Sequence, residues 1–413
     1  MPATHVTLTN YIRPCAPRRA RSSHRLGRPM IRPSARTSDS PFAAARRACC
    51  LAFLISLAAC GGDSTGVTAP VAKTCTEDPT QSRCVVVTPP VDSGLRYYAS
   101  RNGRYMGTSL DALFGGAAYN AVVAKEFNMF TPGNVLKWDA VHPSRATYNY
   151  SKPDAMLAFA QANGMKMRGH TLAWVNQNPS WLTSATWSAD TLTQVLKDHI
   201  AAVVGHYKGT IYAWDVVNEA FIDGAATLRP NVWSNVLGRS YIETAFRAAR
   251  AADPATLLFY NDYNIETAGA KQDSAYNLIA DFKARGVPID GIGFQAHFLV
   301  NADGTGAPNK SQLQATFARF ATLGIKIHIT ELDVRVQTAS PTTSALNAQN
   351  QAYNDIASAC FAAPACEALI VWGVTDSESW IPGTFPGWGS ALLFDGALSR
   401  KSTYTSVKSG IGG

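Results

Sequence analysis

Trp214-Asp215-Val216-Val217-Asn218-Glu219 and Ile329-Thr330-Glu331-Leu332-Asp333 each set a glutamate at the end of a short apolar run. The runs, 211–217 and 325–330, are short, bounded and rich in Ile and Val, and they read as buried strands. In a closed barrel of parallel strands the carboxyl ends share one face, which is where such barrels do chemistry. The glutamates stand 112 positions apart, so only the fold can bring them together. Paired carboxylates suit the cutting of a glycosidic bond, where one protonates the leaving oxygen and the other attacks or activates water. The alternative makes each an ordinary solvated residue at a strand end, and the surrounding sequence decides between the two.

Outward from these segments, apolar runs alternate with amphipathic stretches, the pattern of a parallel α/β fold. Strands are expected at 105–109, 127–131, 167–172, 211–217, 257–261, 291–295, 325–331 and 368–372, with helices between them such as 241–252 and 273–285. Eight such units predict a single (β/α)8 barrel spanning 95–409, preceded by a signal segment and a flexible linker. In this count Glu219 and Glu331 close the fourth and seventh strands.

Further motifs follow in order: Arg168-Gly169-His170-Thr171-Leu172 leading to Trp174, Gln177 and Trp181; Tyr260-Asn261-Asp262-Tyr263-Asn264; Gly291 to His297; and Val371-Trp372-Gly373-Val374-Thr375-Asp376 with Ser379-Trp380. Together with the two glutamate segments, this series resembles glycoside hydrolase family 10, the endo-1,4-β-xylanases. The resemblance covers roughly residues 95–409.

It implies that Glu219 is the general acid/base and Glu331 the nucleophile of a retaining enzyme, which hydrolyses internal bonds of xylan without cofactor or metal. Asn218 would bond the sugar 2-hydroxyl beside the cut. His297 would hydrogen-bond the nucleophile, oriented by Asp333 or Asp215. Asn134, Lys137, His170, Gln177 and Gln295 match positions that contact sugars on the non-reducing side. Trp174, Trp372 and Trp380 would offer apolar faces to sugar rings, and Tyr263 would line the leaving-group side. Trp138, Trp181, Trp187, Trp214, Trp233 and Trp388 are read as packing. Three departures stand out: Gly133 replaces a glutamate in Thr131-Pro132-Gly133-Asn134, Val175-Asn176 replaces His-Ser after Trp174, and Ser377-Glu378 stands where a basic or aromatic residue is common. A related β-glucanase and a non-catalytic lipoprotein that captures oligosaccharides are the rival readings. Intact carboxylates with Asn218 and His297 argue against capture alone.

The formal charge of +8 belongs to the leading segment. Residues 1–60 hold ten arginines against one acid, Asp39, so the remaining 353 residues sum to about −1. Nothing there suits a nucleic-acid partner. Arg46-Arg47 precede an apolar stretch, 48–59, of signal-peptide length, and Leu57-Ala58-Ala59-Cys60 looks like a bacterial lipobox. Residues 1–59 are thus expected to be a signal, Cys60 a lipidated anchor in the membrane, and 60–94 a tether rich in Gly, Thr and Pro. A plain secretory signal is the alternative, and the exported enzyme is expected to be a monomer. Cys15, Cys49 and Cys50 fall in the signal, leaving Cys75, Cys84, Cys360 and Cys366. An even number in an exported chain suggests disulfides. The family often has a bridge where Cys360 and Cys366 stand, and Cys75 with Cys84 would close a small loop in the tether.

Overall fold

The computed structural model describes residues 92–110 and 116–413. The signal, Cys60, Cys75, Cys84 and nearly all of the tether lie outside the described residues.

Eight parallel strands close on themselves: β1 (Tyr105–Leu110), β2 (Met129–Pro132), β3 (Lys166–His170), β4 (Ala213–Asn218), β5 (Leu257–Asp262), β6 (Gly291–Phe294), β7 (Lys326–Gln337) and β8 (Cys366–Val371). Each pairs with the next, and β8 returns to β1 with Tyr105 opposite Ala368. Strands covered by helices outside and filled within are buried on both faces, which is why they read as continuous apolar runs rather than alternations. The helices carry one buried stripe each. In Ser240–Ala252 the stripe is Tyr241, Ile242, Ala245, Phe246 and Ala249, the three-and-four spacing of a single helix face. Ala189–His206 begins at Ser188, whose hydroxyl accepts from the Thr191 amide and satisfies a donor the helix leaves open.

The barrel interior is filled by unequal contributions. Phe259 and Asn261 of β5 occupy space that the neighbouring β6 leaves free. A Cβ on Gly291 would come within 2.2 Å of the Phe259 ring, and one on Gly293 within 2.1 Å of Asn261 Oδ1. Two glycines thus admit one aromatic ring and one amide. Deeper in the barrel, the fully buried Arg168 makes a two-pronged pair with Asp215, at 2.8 and 2.7 Å, and donates through Nε to His328 Nδ1 at 3.2 Å. Burial pushes the His328 imidazole down to about 4, so it stays neutral and can accept.

The first and last helices meet on a buried carboxylate. Glu126 accepts from the Leu95 amide at the start of Leu95–Arg101, and from Tyr404 Oη and Arg400 Nη2, which belong to Ser402–Gly410 and the turn before it. Cys360 and Cys366 form the expected disulfide, joining the end of helix Thr343–Ala362 to the start of β8.

One strand differs from expectation. The seventh does not stop at Glu331 but runs on to Gln337. Past the barrel layer it pairs with two short segments, His297–Leu299 in parallel and Trp388–Gly389 antiparallel. Its register against β8 slips between Ile329 and Leu332, so Glu331 sits at an irregularity inside a long strand.

Candidate active site

A cleft of about 700 Å³ opens at the carboxyl ends of the strands. The nine residues expected to touch sugar all line it, together with Asn218, His297, Glu219 and Glu331. Asp215 and Asp333 are fully buried behind this lining.

The two glutamates reach the cleft by different routes. Glu219 is the first residue past β4 and holds a left-handed backbone, φ 53°, unusual for a residue with a side chain. Its amide donates to the Asn261 carbonyl at 2.9 Å, and the next amide, of Ala220, to the Tyr260 hydroxyl at 3.2 Å. Neighbouring β5 therefore fixes the turn that aims Glu219. Glu331 stays in extended strand, its amide donating to the Gln295 carbonyl at 3.0 Å.

A chain of amides joins the carboxylates. Gln295 Nε2 donates to Glu219 Oε1 and to Asn218 Oδ1, both at 3.1 Å. Asn261 Nδ2 donates to Asn218 Oδ1 at 2.9 Å and to Glu331 Oε1 at 2.7 Å. Asn218 Nδ2 reaches Glu219 Oε1 at 3.3 Å. Two acids far apart in sequence are thus held in one frame by three side-chain amides.

Their electrostatic surroundings differ. Burial alone would push the Glu331 carboxyl up, but the His297 hydrogen bond and the charges of His170 and His297 hold it below the usual range. His297 lies between two carboxylates, Nε2 3.2 Å from Glu331 Oε2 and Nδ1 3.0 Å from Asp333 Oδ2. Burial opposes its charge, yet Asp333 and Glu331 prevail and raise its pKa to about 10. Asp333 also accepts from Trp380 Nε1 at 2.8 Å, so one carboxylate orients both the histidine and the indole. Glu219 is only half-buried and receives neutral amides; no cation among the described residues lies within ion-pair distance of it.

Of the two carboxylates expected to orient His297, only Asp333 does so. Asp215 serves His170 instead, 3.0 Å from its Nδ1. Burial raises the Asp215 carboxyl, and Arg168 and His170 more than reverse that. Lys137, Asn134 and Gln177 form one wall: Lys137 Nζ donates to Asn134 Oδ1 at 3.0 Å and Gln177 Oε1 at 2.7 Å, and rests 4.7 Å from the centre of the Trp174 ring. On another wall Tyr263 Oη accepts from Arg229 Nη2 at 2.6 Å while the Lys271 ammonium lies 3.4 Å from its ring centre. Trp372 meets both His170 and His297 edge to face. The variant positions Gly133 and Asn176 line the cleft too, and Gly133 lies outside the left-handed region.

Sequence reasoning missed Asn261, Glu266 and Arg168. Asn261 stood inside a quoted motif, two residues before Tyr263. Glu266 is buried and accepts from the Ala296 amide at 2.7 Å, pinning a left-handed residue (φ 61°) just ahead of His297. No local pattern marks it.

The sequence model of glycosyl hydrolase family 10 matches residues 94–410. Endo-1,4-beta-xylanase A of Phanerodontia chrysosporium is 43% identical over 312 residues, 75% of this chain and 74% of that protein. Endo-1,4-beta-xylanase B of Thermotoga neapolitana is 43% identical over 290 residues, 70% of this chain and 82% of its own. Among solved structures, xylanase 10B from Thermotoga petrophila RKU-1 in complex with xylobiose superposes with a TM-score of 0.75 at 40% identity, covering 78% of this chain and 98% of the other.

Proposed function

This chain belongs to glycosyl hydrolase family 10 and is a retaining endo-1,4-β-xylanase, and we propose that Glu331 is its nucleophile and Glu219 its general acid/base. The observation that carries the assignment is the contrast between two carboxylates sharing one amide frame. Only Glu331 has an imidazolium against it, which favours the charged form that must attack. Glu219, half-buried among neutral donors, faces the cleft where a leaving oxygen would need its proton. In the first displacement Glu331 Oε attacks the sugar's reacting carbon as Glu219 protonates the departing oxygen. In the second, Glu219 takes a proton from water, which attacks the same carbon and frees Glu331. Asn218, held at Oδ1 by Asn261 and Gln295, presents its amide to the 2-hydroxyl. His170, Lys137, Asn134, Gln177 and Gln295 supply donors and acceptors to the glycone, with Trp174, Trp372 and Trp380 as apolar faces.

His297 sets the acidic limit of activity. The nucleophile must be ionised, and its ionised fraction falls as pH drops through the Glu331 pKa. A nearby cation lowers a carboxyl pKa by roughly 1–3 units, so His297→Asn removes that help and the pKa rises. The acidic limb of kcat/KM should move up by about one unit, read from the pH profile on xylotetraose. An unmoved limb with lowered kcat would show that His297 only positions Glu331.

We further propose that residues 1–59 form an export signal, that 60–94 tether a monomeric 95–409 catalytic domain, and that Cys60 carries the lipid. The support is the lipobox-like Leu57-Ala58-Ala59-Cys60 behind an arginine-led apolar stretch. One experiment tests place and substrate together: reducing-sugar release from xylan and from carboxymethylcellulose, assayed in membrane and soluble fractions for wild type and Cys60→Ala. Xylan activity should dominate, reside with membranes, and shift to the soluble fraction in the variant. Soluble wild-type activity would sink the anchor; equal release from both polymers would sink the preference for xylan.

A further inference from the structure

Among the described residues, no protein acceptor claims the cleft cation Arg335. Lys137 is bonded to Asn134 and Gln177, and Arg229 to Tyr263 and two carbonyls. Arg335 lines the same cleft, yet among the described residues its guanidinium makes no hydrogen bond and no ion pair within 4.0 Å. The carboxylate two residues back, Asp333, gives its Oδ2 to His297 and Trp380, and its buried Oδ1, which accepts no hydrogen bond among the described residues, is not within 4.0 Å of the Arg335 guanidinium nitrogens.

The arginine is nonetheless held. Its guanidinium carbon lies 4.0 Å from the centre of the Phe385 ring and 5.9 Å from that of Trp388. Both rings belong to the segment that pairs, through Trp388–Gly389, with Val336 and Gln337 at the end of β7. A guanidinium on an aromatic face keeps its N–H edges free, in the planar fork that matches a carboxylate. Its place follows from the strand. Side chains two apart share a face, so Glu331, Asp333 and Arg335 step outward along one side of β7. At about 3.3 Å per residue, the Arg335 backbone stands roughly 13 Å from that of Glu331. That distance takes it beyond the sugar being cut while remaining in the cleft.

Partial burial works against the charge of Arg335, and a backbone of neutral xylose offers only hydroxyls to it. We infer that Arg335 is a subsite for a carboxylate carried by the substrate, namely uronic acid side groups on the xylan chain. The inference rests on the xylanase reading and adds a class of decoration to it.

The test compares kcat/KM on three oligosaccharides of equal backbone length: one bearing a uronic acid, the same one with its carboxyl reduced to an alcohol, and an undecorated chain. Wild type should favour the acid over its reduced form by about five- to tenfold, the effect of one charge-assisted hydrogen bond at a half-exposed site. The preference should shrink as salt rises to about 0.5 M, fall to near unity in Arg335→Gln and persist in part in Arg335→Lys. Each ratio is read within one protein, so poor folding of a variant cannot imitate the result, and the wild-type comparison needs no variant. Equal rates on the acid and its reduced form in wild type, or a preference that survives Arg335→Gln, would overturn the inference. Failure to cut any of the three would refute the xylanase reading instead.

Discussion

Glu331→Ala is expected to lower xylan hydrolysis by about 10⁵-fold or more, the scale seen when a nucleophile is removed, while the barrel stays folded. The substitution leaves one N–H of Asn261 Nδ2 without its acceptor, the other keeping Asn218 Oδ1, and costs about 1–3 kcal/mol. It also relieves the burial of a carboxylate, which offsets part of that loss. His297 keeps Asp333 as a partner at 3.0 Å. The cavity left by the carboxylate lies on the side from which attack occurs, so formate or azide should enter it and restore turnover of an aryl xyloside with an activated leaving group. Because the small anion takes over the first displacement and Glu331 no longer forms an ester, the rescued product carries the opposite anomeric configuration. Proton NMR of the product would decide. Full activity on xylan, or rescue with unchanged configuration, would remove Glu331 from the nucleophile's role.

Glu219→Ala should divide substrates by what leaves. A xylan chain departs as an alkoxide unless protonated, so its kcat/KM should drop by about 10²–10⁴, the usual worth of a positioned acid. A dinitrophenyl group leaves without a proton, and its glycosylation step, followed before steady state, should change by only a few-fold. The second step still lacks its base, so the glycosyl-enzyme should accumulate, visible as a burst followed by slow release. Azide, needing no deprotonation, should then speed turnover and give a product of retained configuration, in contrast with Glu331→Ala. Equal loss on both leaving groups in the first step would contradict the acid role. Glu219 is only half-buried, so its removal should leave thermal stability close to wild type.

The barrel was legible because its strands are buried on both faces and so appear as bare apolar runs. The same logic failed on β7. Its outer half, Leu332–Gln337, is completed by His297–Leu299 and Trp388–Gly389, pieces too short to announce themselves. The two glutamates of the cleft were visible through motif order, whereas the partner of His297 was not: Asp333 and Asp215 sit in equivalent motif contexts, and only strand geometry sends one to His297 and the other to His170. Asn261 escaped because its function is relational; it matters for what Gly293 leaves open beside it. The left-handed backbones at Glu219 and Ala296 were also hidden. Neither residue type favours that conformation, and each is held there by a partner distant in sequence, β5 for Glu219 and Glu266 for Ala296.

The solid barrel floor also imposes an order of events. Arg168, Phe259 and His328, all fully buried, close the space beneath the carboxylates, so nothing reaches the glycosyl-enzyme from below. Water for the second displacement must arrive through the mouth by which the leaving chain departs. While that chain lingers it shields the intermediate, and departure becomes a precondition of hydrolysis. Once the mouth is open, water and the hydroxyl of another sugar compete for the same approach to the same carbon. In a dense solution of short sugars the second competitor gains, and an enzyme built to cut will begin to join.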